Sequence, residues 1–302
     1  MIAPKLDSGA ALGFFWEVFR ARPLVFISLS VWWVAVFLVL GVTQVVMTSE
    51  EVALLAAAEA SGDDAAVFQA MGPYLLKILL FSSASMVISV FLETAWLRLF
   101  MQGRGNPVFP FRLGAEEGYY LLTMLVLAVA YIFAYVIGGG LIFAIVFGLG
   151  AIGGEALSVA ALVLGAIAFV FFLLAFLVRV SPALAMAVNQ RKFVFARAWN
   201  GTRKMFWPLF GCYLLAVIIG LVLYMVAAIV MLFLPGGMAA MTMAEPVENW
   251  RMLIVPFLVL YSSILIPLSM MRGIACKAAL TIEEANATPP PAMTATVNGG
   301  DA

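Results

Sequence analysis

Ser82, Ser85, Ser89 and Glu93 recur at spacings of three and four within one apolar stretch, so on a helix they form a single polar stripe. Glu93 is the only acidic residue placed well inside an apolar run, and a carboxylate at that depth is a functional candidate because burying it is costly. Two chemistries fit the stripe. One is an ion or substrate path along the helix. The other is structural: small serines let helices approach closely, and Glu93 forms an ion pair with Arg98 or Arg179. Its place about two turns from the basic end of the run favours the pair.

A second cluster is cationic. Arg191, Lys192, Arg197, Arg203 and Lys204 are interleaved with Phe193, Phe195 and Trp199, more densely than in any other basic segment. Such a stretch binds anionic lipid headgroups or seats a partner protein, although orientation in the membrane produces cations there too.

Other chemistry is thin. Histidine is absent, which removes the commonest general base and metal ligand. Cys212 and Cys276 stand alone, with no CxxC and no ligand set, and read as small apolar packers. Gly103-x-Gly105-Asn106-Pro107 is a turn and not a phosphate loop, because no GxxxxGK[ST] pattern and no preceding strand accompany it. Lys77 with Ser82 or Ser83 is too sparse a basis for serine–lysine catalysis. No catalytic residue, metal site or cofactor is expected, and a formal net charge of zero gives no reason to expect a nucleic-acid partner.

The elements that position these residues follow from composition. The chain has 302 residues, 65% apolar and only 11% charged, with a mean hydropathy of +1.12. A soluble domain averages about 45–50% apolar and about 25% charged, so the excess must face lipid. Several runs exceed the roughly 20 residues that cross a bilayer core as a helix, and helices are required because backbone groups in lipid must bond internally. The expected fold is an all-α polytopic bundle of about six spans, near 24–46, 74–100, 119–149, 156–180, 208–234 and 251–274, in one domain over 1–280. Residues 281–302, with the prolines 289–291 and Gly299-Gly300, read as a disordered cytoplasmic tail. Phe14, Phe15, Val18 and Phe19 predict a short amphipathic helix lying on the membrane before the first span. The stretch around 193–207 is a second such interfacial segment. Acidic, alanine-rich 49–71 predicts a helix broken near Ser61-Gly62. Glycines from Gly148 to Gly154 make a tight hairpin, and those at 138–140 and 150–154 read as close-packing positions. Pro208 opens the fifth span, and Pro256 and Pro267 kink the sixth.

Basic residues gather before the first span, between the second and third, between the fourth and fifth, and after the sixth. Glu50, Glu51, Glu59, Asp63, Asp64, Glu155, Glu245 and Glu248 gather on the other side, which only Lys77 and Arg251 border among the cations. The positive-inside rule places both termini in the cytoplasm. Residues 14–46 and 193–234 share a layout of basic aromatic stretch, proline and long span, open to reading as a parallel duplication or as the usual dress of an interfacial helix.

The segments Arg179-Val-Ser-Pro-Ala-Leu-Ala185, Phe195-Ala-Arg-Ala-Trp199, Thr202-Arg203 and Phe206-Trp207-Pro-Leu-Phe-Gly211 resemble the membrane domain associated with bacterial glycerophosphoryl diester phosphodiesterases. They also resemble related uncharacterised proteobacterial membrane proteins, and the likeness is best over about 178–234. The activity of that family belongs to a separate soluble barrel that this chain lacks, so no catalytic residue carries over. The resemblance implies a stand-alone helical bundle in a bacterial inner membrane. The expected role is a scaffold or accessory subunit acting on another membrane protein or on lipids, anionic ones included. A small permease using Ser82, Ser85, Ser89 and Glu93 is the alternative.

Overall fold

The computed structural model describes residues 6–62, 64–106, 108–235 and 250–287. Among them the chain is all α, with six helices long and apolar enough to cross a membrane. In chain order the helices are α1 (Ser8–Ala21), α2 (Pro23–Ser61), α3 (Asp64–Gln102), α4 (Ala115–Leu149), α5 (Ala156–Gln190), α6 (Phe195–Thr202), α7 (Phe206–Leu232) and α8 (Ile254–Asn286). The spanning helices are α2, α3, α4, α5, α7 and α8.

The helices outrun the apolar spans because helix propensity continues where hydropathy stops. Alanine-rich 53–60 carries α2 on to Ser61, and Gly62 ends it in the left-handed region at φ 69, where glycine has no Cβ to clash. The break expected near Ser61-Gly62 is therefore present. At the other end α8 continues to Asn286, so residues 281–286, assigned to the tail, are helical. The remainder of that tail, from 288, lies outside the described residues.

Two proline and glycine expectations change. Pro256 falls in the first turn of α8, where no hydrogen bond is lost, so only Pro267 interrupts the helix interior. Gly154 joins α4 to α5 through φ 75, a conformation that L side chains rarely adopt. Gly138 does pack, since a Cβ there would overlap the Phe169 ring, but Gly139, Gly140, Gly148 and Gly154 have open space around the Cβ position. The hairpin thus uses Gly138 for contact and Gly154 for its turn.

Packing is concentrated at the end where the basic residues gather, here called the basic end. One buried cluster joins α1, the Val90–Phe100 part of α3, the Val178–Val188 part of α5, α6, the start of α7 and the Met270–Ile282 part of α8. Trp96 is fully buried at its centre, edge-on to Phe26 with ring centres 4.9 Å apart. A small satellite of Val45, Leu253 and Phe257 ties α2 to the start of α8 at the opposite, acidic end. Close backbone approach fixes several crossings: Gly273 of α8 lies against the Phe15 backbone of α1, and Gly220 of α7 against Pro267.

The amphipathic segment at the N-terminus is therefore more than an interfacial float. Asp7 caps α1 by accepting from the Gly9 and Ala10 amides at 2.9 and 3.3 Å. Ala11 is fully buried, and Phe14 meets Phe100 of α3, so one face of α1 closes the bundle. The second such segment, α6, is likewise tied to α5. Thr202 Oγ1 donates a hydrogen bond that the Arg179 carbonyl accepts at 3.0 Å, and Arg179 Nη2 donates to the Trp199 carbonyl at 2.9 Å. The Arg179 guanidinium also stacks 3.8 Å from the Trp199 ring centre. Each of the two short helices precedes a long span, α1 before α2 and α6 before α7, an order that both readings of the layout at 14–46 and 193–234 share.

Candidate functional site

Glu93 meets a partner that sequence proximity did not point to. Arg272 of α8 donates Nε to Glu93 Oε2 at 2.7 Å, and its Nη2 makes the second arm to Oε1. This bidentate pair spans 179 positions of sequence and replaces the expected pairing with Arg98 or Arg179. A buried carboxylate is tolerable when a guanidinium fork meets both oxygens. Arg272 also stacks 5.1 Å from the Trp96 ring centre, which fixes it against the core. Its third nitrogen, Nη1, is buried with no hydrogen-bond acceptor among the described residues. An orphaned buried donor costs about 1–3 kcal/mol.

The serines of the stripe are less engaged. Ser82 is exposed, and Ser85 and Ser89 are half-buried. The stripe therefore runs from exposed Ser82 to a half-buried ion pair at Glu93. Lys77 is held by Glu51 of α2 at 2.5 Å and by the Met47 carbonyl at 2.8 Å, while the Ser83 hydroxyl donates to the Leu79 carbonyl at 2.8 Å. Lys77 and Ser83 are thus each engaged locally.

Arg98 does different work from the one expected of it. Its Nη1 bridges Glu116 at 3.3 Å and Glu117, both at the start of α4, and its Nη2 donates to the Pro110 carbonyl at 3.2 Å. Arg191 joins the same network through Glu116 Oε1, at 2.8 Å from Nη2. Glu116 and Glu117 lie among the cations of the basic end, and no orientation rule based on Lys and Arg weighs them. Together these residues staple α3, the 103–114 loop, α4 and α5 with buried charges.

The cationic stretch divides accordingly. Arg191 is taken up by Glu116, and Arg197 Nη1 donates to Gln190 Oε1 at 3.2 Å. Lys192, Arg203 and Lys204 are exposed. Beside them, Asn189 and Gln190 each donate to Glu283 of α8 at 2.8 Å, so the basic ends of α5 and α8 are locked together.

A cavity of about 430 Å³ adjoins the Glu93–Arg272 pair, between α3, α4, α5, α7 and α8. Tyr120, Tyr213 and Ser181 bring hydroxyls to its wall, and Leu127, Leu174, Leu177 and Val217 make the rest apolar. Ser181 donates to the Val178 carbonyl at 2.9 Å, and Tyr213 to the Met271 carbonyl at 3.4 Å. Sequence reading found Glu93 but not Arg272, Tyr120 or Tyr213 as its companions. The available signal was an arginine at 272 inside a helix that continues well past it. Comparison with protein-family models, with curated proteins and with solved structures gives no match to the chain.

Proposed function

We propose that this chain is a non-enzymatic subunit of a bacterial inner membrane, with both termini cytoplasmic, that packs against another membrane protein or organises lipid. The observation that carries the reading is the pairing of Glu93 with Arg272: a carboxylate inside an apolar helix is matched on both oxygens by a guanidinium fork from α8 within the packed end. Exposed Lys192, Arg203 and Lys204 support contact with anionic headgroups at the same end. The likeness of 178–234 to the membrane domain of glycerophosphoryl diester phosphodiesterases fits a bundle working beside a separate catalytic protein. The permease reading keeps one observation in its favour, the open serines above Glu93.

Affinity purification from native membranes in mild detergent, followed by native mass spectrometry, tests the reading. A stoichiometric protein partner, or lipid retained through the exposed cations, is the expected result. Glu93→Gln separates the two readings. In the accessory subunit it leaves association intact and lowers stability by up to about 3 kcal/mol, because Arg272 loses its counter-charge. Loss of the cellular phenotype with unchanged stability would instead assign Glu93 to a transport path.

A further inference from the structure

We propose that the pocket between α2, α3 and the 103–114 loop binds a phosphate group, with Arg104 and Arg112 as its free cations and a phospholipid headgroup as the expected source. The site is separate from Lys192, Arg203 and Lys204, and it stands whether the chain is an accessory subunit or a permease.

The pocket has a volume of about 270 Å³. Its polar lining is Arg98, Arg104, Asn106 and Arg112, and Leu29 and Pro110 are among its apolar residues. The loop that carries it is fixed by the bundle. Gly103 follows α3 in the left-handed region at φ 62 and turns the chain. Gly105 lies so close to Val25 of α2 that a Cβ there would overlap its side chain. The Asn106 side chain accepts from the Val108 amide at 2.9 Å, Trp32 Nε1 donates to the Val108 carbonyl at 3.2 Å, and Arg98 Nη2 holds the Pro110 carbonyl. A backbone held this way has little order left to lose on binding.

The charge balance selects an anion. Arg98 and Arg191 are matched by Glu116 and Glu117, two charges of each sign. Arg104 and Arg112 are exposed and have no ion pair among the described residues, and no carboxylate lines the pocket. Two accessible cations from the two ends of one loop therefore border one concave site, which orientation in the membrane does not by itself require. One guanidinium fork satisfies both oxygens of a carboxylate, as Arg272 does for Glu93, whereas a phosphate group has further oxygens for a second arginine. The level suits a lipid. Leu29 lies about one turn before Trp32 on α2, toward the basic end. Trp32 meets Phe109 and Phe111 edge-on with ring centres 6.1 and 5.5 Å apart, the kind of aromatic group that marks the headgroup boundary. Exposed Val108 and Phe109 beside the pocket offer apolar surface to the rest of the lipid.

The test is native mass spectrometry of the full chain in mild detergent, titrated separately with dioleoyl phosphatidylglycerol, dioleoylglycerol and inorganic phosphate. Phosphatidylglycerol is expected to bind about tenfold more tightly than dioleoylglycerol, which lacks the phosphate. Arg104→Gln and Arg112→Gln should each remove most of that preference, and because both side chains are exposed and unpaired the fold does not depend on them. Arg20→Gln removes the same charge from an exposed position of α1 outside the pocket and should leave the preference unchanged. If the two lipids bind equally but inorganic phosphate binds and is lost in Arg104→Gln and Arg112→Gln, the site is upheld and its source is the aqueous phase. Equal binding of the two lipids with no binding of inorganic phosphate would overturn the site. So would an Arg20→Gln loss as large as that of the pocket variants, or no loss in either pocket variant, because bulk positive charge would then account for the binding. None of these results depends on whether a protein partner co-purifies.

Discussion

The α4–α5 hairpin away from the basic end and the packed basic end are both strongly apolar, yet they are held in opposite ways. From Leu125 to Phe172 the hairpin presents Val129, Phe133, Ile137, Phe143, Leu164 and many neighbours outward, and its internal contact is narrow, centred on Gly138 against Phe169 and Gly165 against Ile142. At the basic end, by contrast, Trp96, Met186, Leu209 and Ile274 are fully buried, and charged groups are buried among them. Lipid is as apolar as leucine, so apolarity alone does not drive spanning helices together. What distinguishes the packed end is its guanidinium–carboxylate pairs, set among aromatic and glycine contacts of a kind the hairpin also has at Gly138, Gly165 and the Tyr135–Phe169 ring pair. Among its described residues the hairpin holds no such ion pair, and much of its apolar surface is exposed.

The largest expected effect therefore comes from cutting a buried charge at the packed end. Arg98→Ala leaves Glu116 and Glu117, both nearly sealed from water, without their shared counter-charge. Removing one partner of a buried pair costs about 3–5 kcal/mol. Reversible unfolding of the purified chain in mixed detergent micelles should show that loss, while Phe143→Ala in the hairpin, where the ring is 72% exposed, should fall within about 0.5 kcal/mol of wild type. Equal losses at the two positions would dissolve the distinction between the regions.

Much of this contrast is invisible in the sequence, for identifiable reasons. The six spans are legible because each is a long apolar run bounded by charge or glycine. The break at Gly62 and the turn near Gly154 are legible because only glycine suits those conformations. The partner of Glu93 is not, because Arg272 is 179 positions away and a helical stripe defines a face without saying which helix covers it. Glu116 and Glu117 escape notice because they sit among cations, where a rule about Lys and Arg does not count them. The amphipathic pattern of α1 is the same whether its apolar face meets lipid or the Phe15–Gly273 crossing, so only the fold separates those outcomes.

A smaller effect tests the glycine crossings of the packed end. At Gly201 a Cβ would come within 2.8 Å of Ile282 on α8, and Ile282 is fully buried with no room to retreat. Gly201→Ala should cost about 1–3 kcal/mol from overpacking, partly offset by the better helix propensity of alanine. Thermal denaturation followed by circular dichroism reads the net loss, and Ile282→Ala, which removes all three clashing atoms, should cost less in the Gly201→Ala background than in the wild type.

The same substitution in the hairpin should reverse sign. Gly139 lies inside α4 with open space where its Cβ would be, so Gly139→Ala gains helix propensity of up to about 1 kcal/mol and meets nothing. The purified chain should therefore melt higher. That sign holds only while the face stays uncovered by protein. If Gly139→Ala stabilises the isolated chain but weakens co-purification of a partner from native membranes, the glycine is there for a neighbouring helix, and the hairpin is the docking surface of the accessory subunit. If it stabilises the chain and leaves association untouched, the hairpin faces lipid, and partner contact belongs to the cationic end around Lys192, Arg203 and Lys204.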